Sequence, residues 1–283
     1  MKQTALITGA SGGIGRACAV VFAEHGYNLV LVARTERKLD EIKRELENKY
    51  GVTVTTVPAD LTLPDEAVRL ADELKKRRIP IDVLINNAGF GDRAAFLDSD
   101  WDKQRRMIEL NIVALMQMSY VFGREMTAAR SGSILNIASI AGIMYSGPYM
   151  SVYYATKAFV LSFSQSLNEE LKGTGVSVSA LCPGPVSTGF NEAASLTEGF
   201  HGMKPAAPES VAADAFWTIR HKRPVRIHGA AAKLAAFGIR FLPRSLVARI
   251  AADANGRKTL AAEKNGAAKK AEEQQELSTD TAQ

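Results

Sequence analysis

Short apolar runs alternate with longer segments of helical periodicity along most of this sequence, and this alternation constrains the fold more than any other feature. Each apolar run has the length and the aliphatic or β-branched composition of a strand. Alternating strands and helices form a parallel sheet through right-handed crossovers, and near-continuous apolar strands indicate a sheet covered on both faces. The sequence therefore predicts an α/β protein with a three-layer, doubly wound fold. Its seven predicted strands lie at 5–7, 29–32, 52–57, 83–85, 133–137, 176–181 and 225–227, and its main predicted helices at 14–25, 36–49, 65–78, 102–129, 153–172 and 209–221.

Length and charge divide the chain into one domain and a C-terminal appendage. Its 283 residues, 46% of them hydrophobic, are enough for a single α/β domain with a large core. Residues 1–219 carry 22 basic and 24 acidic side chains, whereas residues 220–283 carry 13 and 6, so the net charge of +5 arises from the C-terminus. We predict a domain over 1–229, a basic helical extension of it over 230–258 and a flexible tail over 259–283.

The cysteines and the N-terminus indicate a cytoplasmic protein. Cys18 and Cys182 are the two cysteines of the chain, and their apolar surroundings fit reduced thiols better than a disulfide. The first apolar run ends at Gly9 and lacks the longer stretch and cleavage site of a signal peptide. The uncharged segment 131–156 is rich in serine and glycine, so we interpret it as a buried strand and a loop rather than as a membrane span.

A glycine-rich turn connects the first predicted strand to the first helix, with the spacing Gly9-x-x-x-Gly13-x-Gly15. Backbone N–H groups at a helix N-terminus attract phosphate, and glycine lets the backbone approach it closely. No Gly-Lys-Ser/Thr sequence follows, so nucleoside triphosphate hydrolysis is not favoured. The turn indicates either a phosphate cradle for a dinucleotide or a tight strand-to-helix connection without a ligand.

The residue that follows the second strand bears on the choice of dinucleotide. Arg34 lies 19 residues beyond Gly15, where an acidic residue binds the adenosine ribose and a basic one binds a 2′-phosphate. A guanidinium makes bidentate, charge-assisted hydrogen bonds to a phosphate dianion. Arg34 therefore predicts NADP(H), and the alternative is a solvated arginine at the start of a charged helix.

Polar and small residues also follow the third and fourth strands. Asp60, followed by Leu61, ends the third strand, where its carboxylate can accept a hydrogen bond from an adenine amino group. Asn87, Ala88 and Gly89 follow the fourth strand and suit backbone packing against a bound cofactor. Taken alone, both segments also fit ordinary turns.

Ser139 follows the fifth strand, and fourteen residues later a helix begins with Tyr153 and Lys157. Their i, i+4 spacing puts the two side chains on one helix face. A phenol has a pKa of about 10, so acid–base work near neutral pH asks for about 4 kcal/mol of stabilisation of its anion. A neighbouring ammonium can supply that stabilisation. In isolation, a tyrosine and a lysine at this spacing are common on any helix.

Taken together, these motifs resemble the short-chain dehydrogenase/reductase family over nearly all of residues 3–229. The resemblance implies a Rossmann-type fold with a seven-stranded parallel sheet, a dinucleotide cofactor and carbonyl–alcohol chemistry. The matching motifs, in family order, are Thr8-Gly-x-x-x-Gly13-x-Gly15, Asp60, Asn86-Asn87-Ala88-Gly89, Asn111, Ser139, Tyr153-x-x-x-Lys157 and Pro183-Gly184-Pro185-Val186-Ser187-Thr188.

The resemblance also implies residue roles. Ser139 would polarise the substrate oxygen, Tyr153 would transfer the proton, and Lys157 would bind the nicotinamide ribose and lower the phenol pKa. Asn111 would hold a water of a proton relay, and Thr188 would meet the nicotinamide carboxamide. The implied NADP(H)-binding residues are Gly9, Ser11, Gly13, Ile14, Gly15, Arg34, Asp60, Leu61, Asn87, Ala88, Gly89, Tyr153, Lys157, Pro183, Gly184, Val186 and Thr188.

The substrate pocket is expected to be apolar. Segment 189–208 resembles the family's substrate-binding lid, and the alternative is a structureless surface loop. No cationic anchor for an anionic substrate is evident, and the four histidines lack metal-ligand spacing, so no catalytic metal is predicted. The candidate pocket walls are Ser139, Tyr145, Tyr149 and Phe190, with Met144 and Phe90 as further candidates.

The basic extension contains two short amphipathic helices separated at Pro243. Residues 220–258, which include this extension and the segment before it, carry ten basic residues and a single acidic one, Asp253. One interpretation is a helical cap on the domain with solvated arginines. A reversible contact with an anionic membrane surface is a second interpretation. A partner protein or nucleic acid is a third, although nucleic acid is not expected.

The function expected from the sequence is NADP(H)-dependent interconversion of a carbonyl and a secondary alcohol. The substrate would be an apolar ketone, an aldehyde or a 3-oxoacyl group. The family resemblance implies a homodimer or homotetramer. The alternative is a cofactor-sensing or scaffold protein that acts through its basic extension, and the intact set of Ser139, Tyr153 and Lys157 argues against it.

Overall fold

The computed structural model describes residues 2–190, 194 and 204–256, and it confirms the predicted α/β fold. All seven predicted strands are present, and they form one parallel sheet in the order β3-β2-β1-β4-β5-β6-β7. The strands are β1 (Thr4–Thr8), β2 (Asn28–Ala33), β3 (Val54–Pro58), β4 (Val83–Asn86), β5 (Gly132–Ile137), β6 (Val176–Cys182) and β7 (Val225–Ile227).

The helices follow the predicted pattern, with one internal difference described below. The described helices are α1 (Gly13–Glu24), α2 (Glu36–Tyr50), α3 (Glu66–Lys76), α4 (Trp101–Ile108), α5 (Leu115–Ala128), α6 (Ser151–Glu170), α7 (Pro208–Arg220), α8 (Ala230–Gly238) and α9 (Arg244–Ala254). Short 3₁₀ turns lie at Phe96–Asp98, Ile140–Gly142 and Ile239–Phe241.

Helices cover both faces of the sheet because successive strand residues point to opposite sides. In β1, Ile7 packs in one core cluster with Phe22 of α1, and this cluster also contains buried residues of α2 and α7. The preceding residue, Leu6, packs in the other cluster with Leu70 of α3 and Phe122 of α5. These two cores account for the continuous apolar strands.

The strand order reverses at β1, which pairs with β2 on one side and with β4 on the other. Crossovers run in opposite directions from this point, so the loops that follow the two inner strands diverge and leave a crevice at their carboxyl ends. The glycine-rich turn follows β1, and the segment Asn87–Gly89 follows β4. The fold therefore brings these predicted motifs to one edge of the sheet.

The helix predicted over 102–129 is present, and it contains an internal turn that the sequence does not predict. The chain is α-helical in α4 and α5, but Glu109–Ala114 between them form a π-helical turn. This turn holds Asn111, whose side chain is hydrogen-bonded to the backbone of Phe90 and to Thr156. A π-turn inserts an extra residue into a helix and is frequent at functional sites.

The C-terminal extension contains the two predicted helices. The chain leaves β7, forms α8 and a 3₁₀ turn, and starts α9 directly after Pro243, as the sequence predicts. Within the described residues, no helix combines the length and the apolar character that a membrane span requires. The predicted tail over 259–283, together with residues 257 and 258, lies outside the described residues.

Candidate active site

A cavity of about 1190 Å³ lies at the carboxyl ends of the strands, and almost every predicted site residue lines it. One part is walled by the loops after β1, β2, β3 and β4, and the other by the segments after β5 and β6 and by helix α6. The predicted residues on its walls are Gly9, Ser11, Gly13, Ile14, Arg34, Asp60, Leu61, Asn87, Ala88, Gly89, Ser139, Tyr153, Lys157, Pro183, Gly184, Val186, Thr188 and Phe190.

The glycine-rich turn has the geometry of a phosphate cradle. Gly9 and Gly13 have φ values of +66° and +53°, which L side chains rarely adopt. Gly12 caps helix α1 without a side-chain hydrogen bond, and the first turn of α1 carries no acidic residue. The N–H groups of that turn are therefore available to an anion, and the positive end of the helix dipole favours it. These features fit the pyrophosphate of a dinucleotide.

Gly15 has a packing role and does not line the cavity. A Cβ atom at this position would lie 2.3 Å from the carbonyl oxygen of Gly9 and 2.6 Å from Nδ2 of Asn87. Glycine is therefore required so that helix α1 can approach the turn it follows. Gly15 shapes the cradle from behind, and its contact with the cofactor stays a prediction.

The ends of β1 and β4 are joined by a compact set of hydrogen bonds. Thr8 Oγ1 accepts hydrogen bonds from the backbone N–H groups of Asn87 and Ala88, both at 2.9 Å. In return, Nδ2 of Asn87 donates to the carbonyl oxygen of Thr8 at 2.9 Å. This set holds the backbone after β4 against the glycine-rich turn, so the two halves of the crevice have a fixed separation.

Arg34 and Asp60 lie on the same part of the cavity wall. Arg34 follows the last residue of β2 and its side chain is exposed. Its guanidinium can therefore contact a ligand without first leaving the protein interior. One carboxylate oxygen of Asp60, Oδ1, accepts from the N–H and the hydroxyl of Thr62 at 3.0 and 2.8 Å. Those bonds orient the carboxylate at the end of β3.

Tyr153 and Ser139 meet at the opposite part of the cavity. Tyr153 is buried on helix α6, and its phenol shares a hydrogen bond with the Ser139 side chain. Burial raises the pKa of Tyr153 above its ordinary value, and the hydrogen bond from Ser139 opposes this rise only in part. The family resemblance implies that Lys157 lowers this pKa, and that role stays a prediction.

Lys157 lies one helical turn beyond Tyr153 and is also buried. Its Nζ donates to the carbonyl oxygen of Ile137, at the end of β5, at 2.8 Å and lies 5.8 Å from the centre of the Tyr153 ring. Burial lowers the pKa of Lys157 to about 8, because the ammonium loses solvent that one carbonyl does not replace. The hydrogen bond fixes the ammonium beside the phenol.

Asn111 lies behind the cavity wall, at 1% exposure. Its Oδ1 accepts from the N–H of Phe90 at 3.1 Å, and its Nδ2 donates to the carbonyl oxygen of Phe90 and to Thr156 Oγ1 at 2.9 and 3.1 Å. Both amide hydrogens are therefore used within the protein. The side chain anchors the loop after β4 to helix α6, and its relay role stays a prediction.

Two predicted pocket walls do not line the cavity. Tyr145 is exposed and its ring lies beneath the guanidinium of Arg244, at 5.2 Å, so it packs on helix α9 from outside. Tyr149 has a φ of +65°, and its carbonyl oxygen accepts from the N–H of Ala94 at 2.9 Å. Tyr149 thus serves the turn that leads into α6. The further candidates Met144 and Phe90 do line the cavity.

Phe190 is the described part of the predicted lid that reaches the site. Its ring packs against Tyr153 with 5.4 Å between ring centres, and its backbone N–H donates to Thr188 Oγ1 at 3.2 Å. Ala194 is fully buried, and its carbonyl oxygen accepts from the N–H of Arg93 at 2.9 Å. Residues 191–193 and 195–203 of the predicted lid 189–208 lie outside the described residues.

The C-terminal extension forms a wall of the cavity, which the sequence reasoning missed. The lining residues from helices α8 and α9 and their connection are small or aliphatic: Ala231, Leu234, Ala235, Gly238, Ile239, Leu242, Ile250, Ala251 and Ala254. A stripe of small residues at helical spacing was the available signal. Two cations of helix α4, Lys103 and Arg106, also line the cavity and were missed. Lys103 is paired with the buried Asp92 at 2.5 Å.

Asn255 fastens this wall to the domain. It is 1% exposed at the end of helix α9. Its Oδ1 accepts from the phenol of Tyr154 at 3.1 Å, and its Nδ2 donates to the carbonyl oxygen of Pro148 at 2.8 Å. Tyr154 directly follows the predicted catalytic tyrosine, so the clamp attaches α9 next to the site.

Comparison with known proteins identifies a matching protein family and similar sequences. A family model described as short chain dehydrogenase matches residues 3–199. The 17-beta-hydroxysteroid dehydrogenase type 3 of Rattus norvegicus is 39% identical over 191 residues, which are 66% of this chain and 61% of that protein. The aligned part is thus under two thirds of this relative's length.

Solved structures resemble the chain over a larger share. A short-chain dehydrogenase from Sphingobium yanoikuyae in complex with NADPH has a TM-score of 0.74 and 34% identity, covering 84% of this chain and 93% of that one. The bulky-bulky ketone specific alcohol dehydrogenase from Comamonas testosteroni has a TM-score of 0.71 and 32% identity, covering 84% and 92%.

Proposed function

The chain belongs to the short-chain dehydrogenase/reductase family, and from this premise we propose that it is an NADP(H)-dependent oxidoreductase that reduces bulky apolar ketones to secondary alcohols. One observation carries the proposal. The buried set of Ser139, Tyr153 and Lys157 and the apolar wall of α8 and α9 line one cavity. A substrate held by that wall can place its carbonyl beside the phenol.

The chemistry assigned to the chain's own residues is proton transfer and polarisation. When bound, a nicotinamide dinucleotide supplies the hydride that reduces the carbonyl carbon. Ser139 donates a hydrogen bond to the carbonyl oxygen, on which negative charge develops, and Tyr153 delivers the proton to the same oxygen. The raised pKa of Tyr153 keeps the phenol protonated near neutral pH, which suits reduction. Lys157 holds positive charge beside the phenol and stabilises its anion after transfer.

The preference for NADP(H) rests on Arg34. Its exposed guanidinium lies on the cavity wall at the end of β2, where the 2′-phosphate of the cofactor would lie. The glycine-rich turn would hold the pyrophosphate, and Asp60 would accept from the adenine. The presence of NADPH in the Sphingobium yanoikuyae structure supports this preference.

The substrate class rests on the composition of the wall that lines the same cavity as the phenol. Small and aliphatic residues of α8 and α9 leave space and offer no hydrogen bond to a polar substrate body. The rat relative is named as a hydroxysteroid dehydrogenase and the Comamonas testosteroni structure as a bulky ketone enzyme, and both names agree with a large apolar substrate.

A panel of ketones, aldehydes and alcohols, followed by NADPH absorbance, tests the proposal. We expect turnover with bulky apolar ketones, and we expect Tyr153→Phe to lower it by at least about 100-fold, the usual share of a general acid. Cofactor binding by the variant, measured by calorimetry, should stay within a few-fold of the parent. Full hydride transfer in Tyr153→Phe would contradict the assignment. Cofactor binding without turnover of any substrate would favour a cofactor sensor instead.

The cofactor preference is tested separately with Arg34→Ala. We expect the parent enzyme to favour NADPH over NADH in kcat/KM, and the variant to lose about 10- to 100-fold of that preference, the worth of one charge-assisted pair. Exposed Arg37, on the next helix, provides a matched control as Arg37→Ala. Equal efficiency of the parent with both cofactors would refute the role of Arg34.

A further inference from the structure

Six large apolar side chains of the C-terminal extension are exposed to solvent. Leu234 and Phe241 are each 73% exposed, and Phe237 is 58% exposed. We call these residues, with the exposed Leu242, Leu246 and Ile250, the C-terminal apolar patch. A contiguous exposed patch of large apolar residues marks a binding surface more often than scattered single residues do.

Helix α8 buries its small residues and exposes its large apolar ones, whereas a surface helix usually buries the large ones. Its buried positions are the alanines Ala232 and Ala236, whereas Leu234 and Phe237 face out. The Phe237 and Phe241 rings pack edge to face with 5.3 Å between centres, so the outward side chains form an ordered surface. Burial in the domain therefore does not account for the large residues of this helix.

Basic side chains accompany the patch. Lys233, Arg240, Arg244 and Arg249 are all exposed on the same two helices and their connection. In the sequence of 230–256, Asp253 is the single acidic residue beside these four cations. The surface thus combines apolar side chains with an excess of positive charge, which is the composition that binds an anionic lipid interface.

The patch also borders the active-site cavity. Leu234, Leu242 and Ile250 line the cavity and are exposed at the same time. They therefore form a rim between the cavity and the outer surface.

From this placement we propose that α8 and α9 dock the protein reversibly on an anionic membrane surface, with the rim of the cavity against the lipid. The cations contact lipid headgroups, and the apolar patch enters the boundary between headgroups and acyl chains. A second copy of this chain is a less suitable occupant, because a two-fold contact would bring four cations of each copy together. Docking does not depend on the proposed redox activity, although that activity would give it a use, since apolar ketones dissolve in lipid.

Co-sedimentation of the full chain with vesicles tests docking. The vesicles contain phosphatidylcholine alone or phosphatidylcholine with about one third phosphatidylserine, at low and high salt. We expect binding to the anionic vesicles that weakens with salt, and weak binding to the neutral ones. The double variant Lys233→Gln with Arg240→Gln should lose roughly 30-fold in partitioning, about fivefold per cation. The double variant Phe237→Ser with Phe241→Ser should lose about tenfold or more.

The matched control is Lys75→Gln with Lys76→Gln, since these lysines are exposed on helix α3. This control should bind like the parent. Equal binding by the parent and the Lys233/Arg240 variant would overturn the proposal. A second result would overturn the proposal in favour of a second copy as the occupant. In that result the parent is a dimer that does not bind vesicles, and the Phe237/Phe241 variant is a monomer.

A single reporter variant measures insertion of the C-terminal apolar patch into lipid directly. Its readout does not require a comparison between variants of different stability. Phe241→Trp puts an indole in the patch, and vesicles with brominated acyl chains quench an indole that enters the lipid. We expect quenching of the added tryptophan on anionic vesicles and its loss at high salt. An added fluorescence that brominated lipid leaves unchanged would refute insertion of the patch. Both readouts are independent of turnover, so failure of docking is distinguishable from failure of the proposed function.

Discussion

Replacing Asn255 by alanine should release helix α9 from the domain without unfolding the sheet. Asn255 makes two hydrogen bonds, one with the phenol of Tyr154 at 3.1 Å and one with the carbonyl oxygen of Pro148 at 2.8 Å. A hydrogen bond contributes about 1 to 1.5 kcal/mol net, so their loss lowers the free energy of local opening by about 2 to 3 kcal/mol. That change corresponds to a rise of roughly 30- to 150-fold in the population of the open helix.

Hydrogen exchange measured by mass spectrometry reports this opening element by element. Amides of α9 should exchange faster by the factor given above, whereas those of β1 and β4 should keep their rates. Tyr154→Phe is the matched control, because it removes one of the two hydrogen bonds and keeps the ring. It should accelerate exchange in α9 by roughly fivefold.

Kinetics give a second readout of the same change. Because α9 forms part of the apolar wall, we expect Asn255→Ala to raise KM for bulky ketones while KM for small ones stays near the parent value. Unchanged exchange in α9 would refute the role of Asn255 as a clamp. Equal acceleration in α9 and in the sheet would show that the variant unfolds globally. That outcome would also contradict the predicted local opening.

Two further predictions concern stability. Burial lowers the pKa of Lys157 from 10.5 to about 8, so the cost of burying its ammonium is fully present below pH 8 and disappears as pH rises from 8 to 10.5. We therefore expect Lys157→Met to be more stable than the parent in urea at pH 7, by up to about 3 kcal/mol, and this advantage to shrink at pH 10. An advantage that is the same at both pH values would contradict the cost of burying this charge. Gly15→Ala should lower the free energy of unfolding by about 1–3 kcal/mol, because its Cβ would lie 2.3 Å from the Gly9 carbonyl oxygen. Gly12→Ala, with extended backbone and open space around its Cβ, should leave stability unchanged, and similar losses in both variants would refute this account.

The fold could be predicted from the sequence because its signals are local. The strands have three to seven residues, and most appear in the sequence as continuous apolar runs. The bounds of β7 match the prediction, and the other six strands begin and end within two residues of it. The cofactor loops were also predictable, since parallel strands bring their carboxyl ends to one edge whatever the side chains between them. Phosphate-cradle glycines such as Gly9 and Gly13 have a conformational requirement that the sequence itself displays.

The remaining features depend on tertiary contacts. Tyr149 was predicted to line the pocket, but its backbone is left-handed and its carbonyl oxygen accepts a hydrogen bond from the N–H of Ala94. The π-turn at Asn111 had one indirect signal, a buried amide within an apolar helix that needs partners from another segment. The wall formed by α8 was missed because large apolar side chains are normally assumed to face the core, whereas here alanines do.

The small residues of the C-terminal wall imply that substrate range and catalysis depend on different parts of the chain. The family model matches residues 3–199, and the wall begins at Ala231, beyond that match. Exchanging an alanine or Gly238 for a larger side chain would narrow the cavity without touching Tyr153 or the phosphate cradle. Under the proposed function, short exchanges confined to the last quarter of the chain should therefore shift the preference between large and small substrates. The rest of the domain can stay unchanged during such exchanges. The C-terminal wall is therefore the segment with which redesign by recombination should begin.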